Sequence, residues 1–288
     1  MASQVPNNFF YLLATGAINF STNTFKIRLM DTGFTFDPDA HELWADVSAS
    51  ELPTGNGYTT GGSTLAGVAV TEDDANDRTS ILWSSVSWLA SGGSIGPSPG
   101  AIIIDDTVAD DPIVAYIEFS AEKTQVSGSN FTVATPGIYI DGDSTDQSTP
   151  SNHVYYLLAT GAINFLTNTF KLLLMATGFT FDKDNHEEWA DVSASEHATG
   201  NGYTTGGNTL AGVAVTQDDT EDRVEITWND TYWIASGADI AASPGAIIID
   251  DTVANDPIVG YINFGGEQVI PDGGKGTITD PGLYIGGA

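Results

Sequence analysis

Slid by 145 positions, the chain aligns with itself: residues 11–140 lie over 156–285 without a gap, and 88 of the 130 pairs are identical. The decapeptide YLLATGAINF at 11–20 recurs letter for letter at 156–165. A repeat of this length is a complete domain, too long for the unit of a solenoid. One chain must therefore make the same fold twice. The expected organisation is a first domain over 1–140, an acidic linker over 141–150 and a second domain over 151–288. The linker, DGDSTDQSTP, carries no large apolar side chain and is short enough to keep the domains near each other.

Within each copy the pattern predicts a short helix followed by many strands. Asn7 and Asn8 follow Pro6 and would cap a helix running through Ala14, with Gly16 ending it; Ser151 and Asn152 after Pro150 repeat the arrangement. FKIRLM at 25–30 alternates apolar and polar as a half-buried strand does. Further strand candidates are 64–70, 79–89, 101–104, 112–119, 131–133 and 138–140. Strict alternation over 112–119 would put Ile113, Ala115, Ile117 and Phe119 on one face and Val114, Tyr116 and Glu118 on the other. The turn-rich stretches TGNG at 54–57 and TGGS at 60–63 separate these runs. About seven short strands in a unit of this size define an all-β fold: two tandem homologous antiparallel β-sandwich (or barrel-like) domains, each with a short N-terminal helix.

The charge is one-sided. Against 38 Asp and Glu stand only 8 Lys and Arg, a formal charge of −30, yet 41% of residues are apolar, enough for each half to bury a core. A sheath of carboxylates repels phosphate, which excludes a general nucleic-acid binder and argues equally against docking on anionic lipid. With no cysteine there is no disulfide and no thiolate ligand, which suits assembly in a reducing cytoplasm. The first residues lack the pattern of a secretory signal, and no apolar run approaches the ~20 residues of a membrane helix, so no membrane partner is expected.

Candidate chemistry concentrates in acidic clusters. Asp37, Asp39 and His41, followed by Glu42, are echoed by Asp182, Asp184 and His186, followed by Glu187. Alternate carboxylates can ligate Ca²⁺, the one cofactor the sequence suggests, and histidine adds a transition-metal option; the competing reading is a turn whose Asp side chains bind nearby backbone N–H groups. Glu72, Asp73, Asp74 and Asp77 form a second set, matched by Asp218, Asp219 and Asp222, with Arg78 and Arg223 placed to pair locally. Asp105 and Asp106, like Asp250 and Asp251, follow an isoleucine triplet where a strand end would meet solvent. Among the histidines, His41, His153, His186 and His197, only His41 and His186 correspond between copies, and neither lies near a nucleophile-elbow pattern. The Gly-rich stretches lack the strand-loop-helix context and the lysine of a phosphate loop. No catalytic residue is expected. Trp44, Trp83 and Trp88 reappear as Trp189, Trp228 and Trp233 and read as core, the alternative being a stacking surface for sugars or a subunit interface.

Differences between the copies report on surfaces. Arg28 becomes Leu173 and Asp31 becomes Ala176, so one strand loses two charges. Exposed charge replaced by apolar side chains would mark a patch that meets a neighbour in one copy only. Residues 121–130 keep two identities with 266–275 and read as a variable exposed loop.

The order of these segments resembles a known family. LLATGAIN, the strand at 25–30, FDPDAHE at 36–42, WADVS at 44–48, TGNGYTTGG at 54–62, the tryptophan-bearing strand at 83–88 and AIIIDD at 101–106 are together similar to a group of small tailed-bacteriophage virion proteins that typically contain one such unit. The resemblance spans nearly all of both copies, and its motifs are structural. It implies a non-enzymatic virion component, foremost a capsid decoration (cement) protein assembled in the host cytoplasm. Its partners would be the major capsid protein or other virion proteins, and it would form a homo-oligomer, a trimer by analogy. The alternative is a tail or fibre component that binds host-surface glycan. The doubling departs from the single-unit pattern.

Overall fold

A computed structural model describes residues 2–76, 78–141 and 148–286. The middle of the expected linker, 142–147, and Asp77 of the second acidic set lie outside the described residues. Both ends of that linker are β-structure instead of tether. The first copy contains β1 (Ala2–Gln4), α1 (Asn8–Ala14), β2 (Phe25–Leu29), α2 (Trp44–Val47), β3 (Ser63–Thr64), β4 (Ala69–Asp73), β5 (Arg78–Leu82), β6 (Val86–Leu89), β7 (Ile95–Asp105), β8 (Ile113–Gln125), β9 (Asn130–Val133) and β10 (Gly137–Asp141). The second contains β11 (Ser148–Pro150), α3 (Asn152–Ala159), β12 (Phe170–Leu174), α4 (Trp189–Val192), β13 (Asn208–Thr209), β14 (Ala214–Asp218), β15 (Arg223–Thr227), β16 (Thr231–Ile234), β17 (Ile240–Asp250), β18 (Ile258–Ile270), β19 (Lys275–Ile278) and β20 (Gly282–Gly286).

The chain is all-β and antiparallel, and its two halves share one topology. A five-stranded sheet, β1-β8-β7-β2-β3, is accompanied by β10-β5-β4 and by the ribbon β6-β9; the second copy repeats them as β11-β18-β17-β12-β13, β14-β15-β20 and β16-β19. Register repeats as well: Phe25 faces Asp105 as Phe170 faces Asp250, and Ile104 faces Ile113 as Ile249 faces Ile258. By contacts the chain forms two compact units, one of residues up to 13 with 17–71 and 79–140, the other of 14–16, 72–78 and 141 onward.

Each five-stranded sheet is covered on both faces, which explains why 101–104 is unbroken apolar sequence. In the first unit, Met30, Ile102, Ile104, Ile113 and Tyr116 form one cluster with Phe36 and Val47. On the other face Phe25 stacks on Phe20 at 4.9 Å and meets Trp83, just after β5, at 5.5 Å. Farther along the same sheet, Phe119 meets Phe131 of β9 at 5.9 Å. These aromatic contacts make the layered core that the alternating pattern predicts. A bulge corrects one detail: Ile103 faces Ala115 while Ile104 faces Ile113, leaving Val114 as the extra residue. Ile113 therefore shares a face with Tyr116, not with Ala115 and Phe119.

Other boundaries differ from expectation. The run 64–70 divides between β3 and β4, and 79–89 between β5 and β6. The segment 121–130 is largely exposed, as expected, but only its middle is a loop: it finishes β8, turns, and enters β9. At the helix starts the side chains bond outward rather than capping: Ser151 Oγ donates to the Ile258 carbonyl at 2.5 Å, and Asn7 Nδ2 to Asp39 Oδ1 at 2.6 Å. One glycine of the 60–63 turn is required: at Gly62, φ +65°, a Cβ would lie 2.0 Å from the Ile27 carbonyl oxygen.

Candidate functional site

The Asp37 loop is built by its own side chains. Asp37 N donates to His41 Nδ1 at 3.0 Å, and Asp39 N donates to Asp37 Oδ1 at 3.2 Å. The His41 ring stacks on Phe34, with centroids 5.6 Å apart. The second copy repeats both bonds: Asp182 N to His186 Nδ1 at 3.0 Å and Asp184 N to Asp182 Oδ1 at 3.1 Å. Asn185 Nδ2 adds a bond to Asp182 Oδ2 at 2.9 Å, and this hydrogen bond, with the Asp184 amide, holds the Asp182 carboxyl below its usual range. Asp39 and Asp184 accept from Asn7 and Asn152, tying each loop to a helix start. These six residues do not gather their donor atoms into a cation site. Of the two readings of this loop, the hydrogen bonds fit the capped turn: Asp37 and Asp182 accept backbone N–H groups, Asp39 and Asp184 accept asparagine amides, and His41 and His186 accept at Nδ1.

The carboxylates after the isoleucine triplets do not meet solvent equally. Asp105 is 0% exposed; its Oδ2 accepts from Asn23 Nδ2 at 2.6 Å and its Oδ1 from Thr107 N at 2.9 Å. Burial raises its pKa, opposed by these hydrogen bonds. Asp250 holds Asn168 and Thr252 in the same way. Asp106 and Asp251 instead pair with Lys26 at 2.8 Å and Lys171 at 2.6 Å. Glu51 Oε1 accepts from the Tyr58 hydroxyl and the Gly61 amide, both at 2.7 Å, while that hydroxyl accepts from Leu29 N at 3.0 Å. Burial first, then the adjacent Glu51, pushes the Tyr58 hydroxyl far above its ordinary range. Arg78 pairs locally with Asp73 at 3.0 Å, and Arg223 with Glu225 at 3.0 Å. Trp83, Trp88, Trp228 and Trp233 are buried, as a core role requires, whereas Trp44 and Trp189 are half-buried and pack against the edge of the core clusters.

The proposed interface patch is corrected by burial. Arg28 is 8% exposed, its guanidinium 4.1 Å from the centre of the Trp44 ring and 4.0 Å from Asp111; Leu173 is 1% exposed and belongs to the core cluster with Met175, Val192 and Tyr261. The exchange swaps one core solution for another, a cation on a ring against an aliphatic contact, and exposes no apolar patch. Asp31 and Ala176 are half-buried, and their amides donate to Ser50 and Ser195.

One cluster escaped the sequence reading. In the second unit Glu72, His153 and Glu187 bring donor atoms within 4.8 Å of one another, the one such group of three among the described residues. His153, at the start of α3, approaches Glu72 Oε2 at 2.9 Å and Glu187 Oε2 at 3.9 Å, and its ring stacks on Tyr156. Burial alone would lower the His153 pKa, but the bond to Glu72 and the charges of Glu72, Glu187 and Glu188 raise it overall. Burial and the charge of Glu72 raise Glu187. The arrangement sets an imidazole beside two carboxylates, which favours its protonated form; one nitrogen and two oxygens would also serve a divalent transition metal. Glu72 and His153 are 81 residues apart and His153 replaces Asn8 of the first copy, so neither spacing nor repetition pointed to the pair. Compared with family models, curated proteins and solved structures, the chain matches none.

Proposed function

We propose that this chain is a non-enzymatic structural component of a tailed-bacteriophage particle, a decoration protein that binds the outer shell through the major capsid protein. The observation that carries the reading is the employment of the carboxylates common to both copies. Glu51 and Glu196 hold a tyrosine and a turn, Asp105 and Asp250 hold buried loops, and Glu122 and Glu267 accept from Thr32 and Thr177. A general acid or base has to meet substrate; these groups are engaged by side-chain and backbone donors of the chain itself. The resemblance to small virion proteins supports the same conclusion. Strong negative charge on the outside of a shell favours solubility and keeps particles apart, whereas inside it would face packaged DNA. Self-association as a trimer would present six similar domains, a match for a hexagonal lattice. The test adds purified protein to shells lacking it and locates a label on intact particles by electron microscopy. Saturable binding over the shell supports decoration. A label confined to the tail, with retention on host glycan, supports the tail-fibre alternative instead.

A further inference from the structure

In the first unit, the space between the β6-β9 ribbon and the long hairpin of β7 and β8 is filled by Phe131. Its side chain is 0% exposed, 6.3 Å from the Trp88 ring and 5.9 Å from Phe119, with Lys123 Nζ 4.9 Å above it. The second unit keeps Trp233 and Phe264 at the equivalent places but has Gly276 for Phe131 and Gln268 for Lys123. Pairing is unchanged, Trp88 opposite Phe131 and Trp233 opposite Gly276. The frame has been retained and the ring removed from it.

The ring's place is not closed by collapse. Ile270, where the first copy has Gln125, leans over Gly276, since a Cβ built there would lie 2.3 Å from Ile270 Cδ1. A cleft of about 700 Å³ nevertheless remains, walled by Trp233, Ile240, Ile262, Phe264, Ile270 and Ile278, with Asn263, Gln268 and Asp280 among its polar groups. Phe264 is half-buried where Phe119 is buried. The cleft is open on one side and mixes these apolar walls with a comparable share of polar surface, and its volume lies in the ~300–1,000 Å³ range of small-molecule sites.

We propose that this cleft binds a small aromatic compound, its ring packed against Trp233 and Phe264 as Phe131 is packed against Trp88 and Phe119. The acidic lining at Asp280 favours neutral or cationic aryl ligands over anionic ones. The proposal is independent of the role in a particle.

The experiment titrates the full chain with 2-phenylethanol, 2-phenylethylamine and phenylacetate, following the Trp233 and Trp88 indole N–H signals by NMR. Saturable shifts at Trp233 and not at Trp88 are expected, with dissociation constants of about 0.1–1 mM for the neutral and cationic probes and weaker binding of the anion. Gly276 lies outside the positive-φ region, so G276F is conformationally permitted, and combining it with I270Q restores the first unit's filling. That double variant should lose at least about tenfold in affinity. In the opposite direction F131G with K123Q should open a second site reported by Trp88. Absence of saturable shifts in the unaltered chain up to about 10 mM, equal response of both tryptophans, or undiminished binding in the folded G276F/I270Q chain would each overturn the proposal. The first two readings require no variant to fold.

Discussion

Asp105 occupies a place where an apolar side chain would ordinarily sit, at 0% exposure beneath the Asn23 loop. Its oxygens are the acceptors for that loop, so Asp105→Ala removes two part-buried hydrogen bonds and leaves a small hole, and should cost about 1–3 kcal/mol in urea unfolding, with Asp250→Ala costing a similar amount. Nothing in the spacing distinguishes Asp105 from Asp106; only the strand's face decides which is buried and which pairs with lysine. Arg28 and Leu173 make the same point. Since each fits a core built round a tryptophan, Leu173→Arg should be accepted on Trp189 with less than about 1.5 kcal/mol lost and no change in oligomeric state by light scattering. His153 has a raised pKa, so its pairing with Glu72 contributes fully below the ordinary value of 6.5 and is lost as pH rises through the folded value. His153→Gln should therefore lower stability by about 1 kcal/mol at acidic pH, with the deficit vanishing in alkaline buffer.

Among elements, the long hairpin of β7 and β8 was the least legible. Residues 95–100, IGPSPG, lay outside the expected strand at 101–104, yet they extend β7 by pairing irregularly with the end of β8. Pro97 and Pro99 have no N–H to contribute, and register shifts on either side of Ser98 accommodate them. Such pairing is imposed by the partner strand, which local propensity does not contain. β1 and β11 were invisible for the same reason: three residues become a strand only because the edge of β8 or β18 is waiting. The strands with strong alternation or unbroken apolar sequence, β2 and 101–104, were plain. Phe131 binds the β6-β9 ribbon to that hairpin, and Phe131→Gly should destabilise the chain by about 3–5 kcal/mol in denaturant unfolding, the cost of an aromatic-sized hole.

For the molecule as a whole, a charge of −30 sets the response to solvent. Self-repulsion is weakened by salt and by partial protonation, so thermal midpoints should rise by several degrees from about 10 to 150 mM salt. They should also be higher near pH 5.5 than near pH 8. The raised pKa values of His153, Glu187, Asp105 and Asp250 act in that direction, because each native group holds its proton more tightly than the unfolded chain does; His197, whose pKa burial lowers, opposes it within this range, and the lowered values of Asp73 and Asp182 oppose it only in stronger acid. An unchanged midpoint across that range would remove electrostatics as the dominant variable. Duplication, the all-β class and the core role of four of the six tryptophans were legible in sequence, because repeats, periodicity and bulky apolar residues are local signals. Tertiary structure alone decided that the Asp37 loop caps itself, that Arg28 is buried, that His153 meets Glu72 and that Gly276 faces a hollow. Each depends on which distant groups share a few ångströms of space, and the chain order does not record that distance.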